Sequence, residues 1–180
     1  MTLEQINARA EELMREERWE AAVDLIGGIQ VESRSPQLNW NCGWALFQLG
    51  RLKDAAQALR RSILQSPSSA VGHWALGEVL AEGGELALAE RHLLAALSIR
   101  DGATPRLSLA VVYMRQDRFE EAERVHLDGL ELKPASRERL EAYADFLDDT
   151  GREAEASAAR ARAANMPTKP KRKRPNDTDD

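Results

Sequence analysis

A position with almost no side chain recurs along this chain at the interval of one helical hairpin. Windows that begin at Leu3, Pro36, Ala70, Ala103 and Arg137 are spaced 33, 34, 33 and 34 residues apart. Their eighth places hold Ala10, Gly43, Gly77, Ala110 and Ala144, and their twentieth places hold Ala22, Ala55, Ala89, Ala122 and Ala156. Two antiparallel helices joined by a tight turn can cross at short distance only where the touching residues are small. Each window is therefore expected to be one helix-turn-helix unit. One unit cannot bury its own apolar face, so several must stack.

Other signals fall at fixed places between these contacts. Gly50, Gly84 and Gly151 occupy the fifteenth place, where a helix C-terminus favours a residue that tolerates the left-handed conformation; Glu17 and Asp117 stand there in the other two windows. Leu13, Leu46, Leu80, Tyr113 and Leu147 on the first helices, with Ile26, Leu59 and Leu93 on the second, are the expected core. Ser35 before Pro36, Thr104 before Pro105, and Ser136 shortly after Pro134 read as helix N-caps. Pro67 and Pro134 are expected to end second helices.

The pattern of Gly43, Gly50, Ala55 and Pro67 resembles the tetratricopeptide repeat, best over residues 36 to 134. The resemblance implies an all-α fold, an α-solenoid of about five antiparallel hairpins wound as a right-handed superhelix. The repeats fall near 3–35, 36–69, 70–102, 103–136 and 137–164, making one domain over 3–164. The ends depart from the pattern. Gly27 and Gly28 lie inside the expected second helix of the first repeat, and Arg160 holds an ordinarily apolar place in the fifth, as suits terminal repeats with one unpartnered face.

The resemblance also implies that the first helices line a concave, ligand-holding groove. The second, fifth, ninth, twelfth and thirteenth places form one helical stripe. In the middle repeats that stripe holds Trp40, Trp44, Phe47, Val71, Trp74, Leu107, Val111 and Met114, interrupted by Gln37, Gln48, Glu78, Glu82 and Arg115. In the fifth it holds Glu138, Glu141, Asp145, Asp148 and Asp149. The expected partner is a protein or peptide segment with apolar anchors, and two readings of the acidic end Glu141, Asp145 and Asp148 stay open: it meets basic residues of that partner, or it is a solvated terminal face. Two readings stay open for Trp40 and Trp74. The family commonly has a large aromatic at the fourth place, here Asn39 and His73, and a small helix rotation would turn both tryptophans into core. The clamp by which some family members grip a carboxylate terminus is missing: Asn41 matches it, but Asn7, Ala75 and Ser108 stand where basic or amide groups are wanted.

Catalysis finds no support. His73, His92 and His126 fall on different helices without metal-site spacing, and Cys42 is the single cysteine, so neither a zinc site nor a Cys-His nucleophile is indicated. No Gly-rich phosphate loop is present, since Gly83 and Gly84 read as a helix-ending turn. Asp148 and Asp149 are adjacent on a helix and point apart, which does not suit paired acid-base work. No catalytic residue, cofactor or metal is expected. The net charge is −5; the tail 165–180, with five cations and three carboxylates, carries +2, leaving −7 on residues 1–164. An acidic body argues against nucleic acid as the partner. The tail, Pro- and Lys-rich from Met166, is expected to be disordered. With one cysteine, no apolar run long enough to span a membrane and no targeting segment at the start, the chain reads as soluble, cytoplasmic and free of membrane.

These readings converge on a non-enzymatic protein-interaction module, an adaptor or a dedicated chaperone. In layout the chain is similar to the small tetratricopeptide chaperones of bacterial secretion systems. The alternative is a structural assembly component acting through self-association or end-repeat contacts. The sequence leaves the oligomeric state and the partner's identity open.

Overall fold

The computed structural model describes residues 1–132 and 136–166. Among them every regular element is helical: α1 (Leu3–Arg15), α2 (Trp19–Gly27), α3 (Pro36–Gln48), α4 (Leu52–Gln65), α5 (Ala70–Glu82), α6 (Leu86–Ile99), α7 (Ala103–Met114), α8 (Phe119–Glu131), α9 (Arg137–Asp149) and α10 (Glu153–Ala164), with a short 3₁₀ turn at Val31–Ser33. The chain divides into two compact units, Met1–His126 and Leu127 onward, within α8 and so inside the fourth sequence window. In the first unit α1 packs on α2, α3 on α4 and α5 on α6, and each second helix packs on the next first helix, α2 on α3, α4 on α5 and α6 on α7. In the second unit α9 packs on α10. The tail residues 167–180 and Pro134 lie outside the described residues.

The small places perform the close approach that the spacing demands. A Cβ on Gly43 would stand 2.6 Å from Leu59 Cγ and 3.2 Å from the Ala55 carbonyl oxygen; on Gly77 it would stand 2.7 Å from Leu93 Cγ and 3.4 Å from the Ala89 oxygen. The eighth place of a first helix thus seats the twentieth and twenty-fourth places of its partner. All five twentieth-place alanines are fully buried, as are Ile26, Leu59 and Leu93.

The turns repeat one geometry. Among the described residues, positive φ occurs at Glu17 (57°), Gly50 (72°), Gly84 (80°), Asp117 (57°) and Gly151 (76°), the fifteenth place of every window. In each window the following amide donates to the carbonyl of the eleventh-place residue: Arg18 to Leu13, Arg51 to Leu46, Glu85 to Leu80, Arg118 to Tyr113 and Arg152 to Leu147. This is the Schellman closure, which satisfies carbonyls orphaned at a helix end. The same eleventh-place side chains are buried, so one residue anchors both the core and the turn.

Three local expectations differ. α7 begins at Ala103 with Gly102 as its N-cap, so Thr104 is inside the helix; proline is tolerated anywhere in a first turn whose N–H groups lack partners, and Pro105 therefore does not mark the first residue. Ser35 caps α3, accepting from the Leu38 amide at 3.2 Å, whereas Ser136 sits at the N-cap of α9 without a side-chain cap bond and donates to the Glu138 carboxylate instead. Gly27 and Gly28 end α2 after nine residues, and the 3₁₀ turn carries the chain onward to α3.

Candidate functional site

The first helices α1, α3, α5 and α7 of the first unit contact one another in sequence order, and their shared stripe carries an aromatic cluster. Trp44 sits at its centre: its ring centroid lies 5.9 Å from that of Trp40 in a parallel stack, 5.3 Å from Phe47 and 5.1 Å from Trp74 on the next first helix. All four rings are half-buried. Such offset and tilted pairs add about 0.5–1.5 kcal/mol each beyond the area they bury. The Trp74 indole donates to Ser108 Oγ at 3.1 Å, which ties α5 to α7, while the Trp40 indole N–H is buried without a hydrogen-bond partner.

Around this cluster the first helices are cross-linked by polar groups. Asn41, fully buried, donates to Asn7 Oδ1 at 2.9 Å and accepts from Gln37 at 3.2 Å, and Asn7 donates to Glu11. The two amides that come nearest to a carboxylate clamp are therefore bonded to each other. Arg115 is exposed and donates to the Ala81 carbonyl at 2.6 Å. On α7, Leu107 and Met114 are half-buried and Val111 is 52% exposed; Glu78 on α5 is half-buried. Val71 is 39% exposed.

Two cavities open beside the tryptophans. One, of about 290 Å³, is walled by Pro36, Gln37, Trp40, Ser66 and Val71 among others. The other, of about 250 Å³, is walled by Ala70, Val71, Trp74, Arg100 and Thr104 among others. A third, of about 400 Å³, lies between α1 and α3, with Trp19, Trp40, Trp44 and Asn41 in its walls. Sequence reading did not find these cavities, because it followed first-helix places alone and Ser66 and Arg100 sit in the connections after second helices.

The acidic residues belong to the second unit. Glu141, Asp145 and Asp148 are exposed on α9. Arg160 of α10 bonds Asp145 at 2.8 Å and Asp148 at 2.5 Å. Its guanidinium is held even more firmly protonated by Asp148 first and Asp145 second. The departure of Arg160 from an apolar place thus has a local reason.

The histidines hold a pairing that sequence spacing did not reveal. α5 and α6 pack against each other and bring His73 Nδ1 to 3.0 Å from His92 Nδ1, while His73 Nε2 lies 3.1 Å from the Pro67 carbonyl. If Nε2 of His73 carries the proton for Pro67, Nδ1 of His92 is the donor between the rings. Burial, then His73, Arg60 and Arg91, lower the His92 pKa; burial lowers that of His126. Burial also pushes the Cys42 thiol up. Among the described residues no group of three or more His, Cys, Asp or Glu is placed to hold a metal ion, and no helix is long and apolar enough to cross a membrane.

Stacked hairpins with a shared first-helix face define an α-solenoid of the protein-interaction kind. A sequence profile described as tetratricopeptide repeat matches residues 7–70 and 42–106, and the chain belongs to that family. It is similar to MamA from Desulfovibrio magneticus RS-1, with a TM-score of 0.74 and 16% identity over 90% of this chain and 93% of that one. It is also similar to a thermophilic TPR protein of Thermus thermophilus, with a TM-score of 0.72 and 22% identity over 90% of each chain. These likenesses establish the fold. A curated relative, protein O-mannosyl-transferase Tmtc1 of Drosophila melanogaster, is 36% identical over 126 residues, which span 64% of this chain and 14% of that protein. In the general sense of its family, the chain is a protein-interaction scaffold.

Proposed function

We propose that the chain is an adaptor or dedicated chaperone that holds a partner's apolar segment against the first-helix face of its first unit. The observation that carries this reading is the half-buried cluster of Trp40, Trp44, Phe47 and Trp74. Aromatic side chains dominate interface hot spots because they bury large areas with few rotatable bonds. Val71, Leu107, Val111 and Met114 extend the apolar face, and Glu78 and Arg115 give it polar edges. In this reading the aromatic face supplies the affinity, and the acidic residues Glu141, Asp145 and Asp148 belong to the second unit, where Arg160 already holds two of them.

The test is affinity capture from native lysate by the wild type and by a Trp44→Ala, Phe47→Ala double variant whose helix content is checked by circular dichroism. The expected result is a partner held by the wild type and lost by the folded variant. Equal capture by both would remove the aromatic face as the site.

A further inference from the structure

The two smaller cavities are copies of one another. Pro36 and Ala70 occupy the first place of their windows, Gln37 and Val71 the second, Trp40 and Trp74 the fifth, and Ser66 and Arg100 the thirty-first. The far wall of each is the second-place residue of the next window, Val71 for one and Thr104 for the other. Val71 is thus a wall of both. Because α3 and α5 touch directly, equivalent points on them lie about 8–10 Å apart, the ordinary distance between packed helices.

That spacing selects the backbone able to fill both cavities. A β-strand returns a side chain to the same face at about 7 or 13 Å and misses. A polyproline II chain does so every third residue at about 9 Å, and an α-helix every seventh at about 10.5 Å. The rims discriminate between these two. Ser66 and Arg100 carry hydrogen-bond donors, and Gln37 keeps one amide hydrogen beyond the one it gives to Asn41; these suit backbone carbonyls, which a helix has already paired internally and a polyproline II chain leaves open. Flat indole faces beside such donors suit proline rings. Charge distinguishes the ends: Arg100 is exposed at the second cavity, where the first has Ser66.

We propose that these paired cavities anchor a proline-rich segment of a partner protein in the polyproline II conformation. Its apolar side chains at i and i+3 enter the two cavities, and an acidic residue follows at the Arg100 end. This assignment rests on the reading that the aromatic face holds a partner segment, and names that segment's chemistry.

The test titrates the full chain, by tryptophan fluorescence and calorimetry, with three synthetic peptides. The first is proline-rich with leucines at i and i+3 and a terminal glutamate, the second is its counterpart with leucines at i and i+2, and the third is a helix-forming peptide with leucines at i and i+7. The first peptide should bind at least tenfold more tightly than the others. Val71→Lys, at an exposed position, should weaken it at least tenfold, and Arg100→Glu should shift preference to a peptide ending in lysine. Tighter binding of the helical peptide, indifference to leucine spacing, no effect of Val71→Lys, or no binding by any of the three would overturn the assignment. Those outcomes leave the aromatic-face reading standing if the Trp44→Ala, Phe47→Ala variant still loses its captured partner; equal capture by that variant is the result that removes the broader reading.

Discussion

At the scale of single residues, Gly77 and the His73–His92 pair yield separate predictions. A methyl group on Gly77 meets Leu93 Cγ at 2.7 Å, too close for contact, and Leu93 is fully buried with little room to retreat. Overpacking of this kind costs about 1–3 kcal/mol, against about 1 kcal/mol regained from alanine's better helix propensity. Gly77→Ala should therefore lower stability by about 1 kcal/mol in urea denaturation; a variant as stable as the parent would mean that the crossing is looser than the geometry shows. The histidines predict a pH dependence. His92 and His126 have folded-state pKa values below their ordinary value, so the folded chain binds fewer protons than the unfolded one near pH 6. The stability tied to their neutral forms is present above about pH 6.5 and declines as pH falls below it. His92→Gln should flatten the fall in urea midpoint between pH 7 and pH 5, and an unchanged slope would show that His92 does not contribute to it.

At the scale of elements, the recurring turn sets the terms. Glu17 has φ of 57° where three equivalent places hold glycine, and the left-handed conformation costs an ordinary L-residue about 1–2 kcal/mol. Glu17→Gly should stabilise the α1–α2 hairpin by about 0.5–1 kcal/mol after glycine's greater unfolded-state entropy is deducted, measurable as a raised midpoint. The hairpins were legible in the sequence because each turn and crossing places a steric demand on a single residue: Gly50 and Gly43 answer to local geometry alone. Thr104 misleads because a threonine ahead of a proline matches a cap pattern without fixing the register of the first turn. The His73–His92 contact and the paired cavities were not legible for a different reason. They join residues on separate elements, His73 with His92 and Trp40 with Val71, through packing that no short-range rule encodes. The tryptophan stripe lies between these cases: its spacing was visible at places five and nine, but the contact of Trp44 with Trp74 depends on how α3 meets α5.

At the scale of the whole molecule, stability in a chain built this way is close to a sum of hairpin terms and nearest-neighbour interfaces. A side chain such as Asn41 fits that scheme, since its partners Asn7 and Gln37 come from the preceding hairpin and its own helix. Each window also ends its first helix on the same left-handed residue, followed by an amide that returns to the same eleventh-place carbonyl. Every hairpin turn therefore offers the helix that follows it an identical socket. Such a chain is spliceable: a copied length cut from one hairpin turn to the next inherits a ready-made joint on both sides, and the number of hairpins becomes a quantity that duplication can change without reinventing the fold.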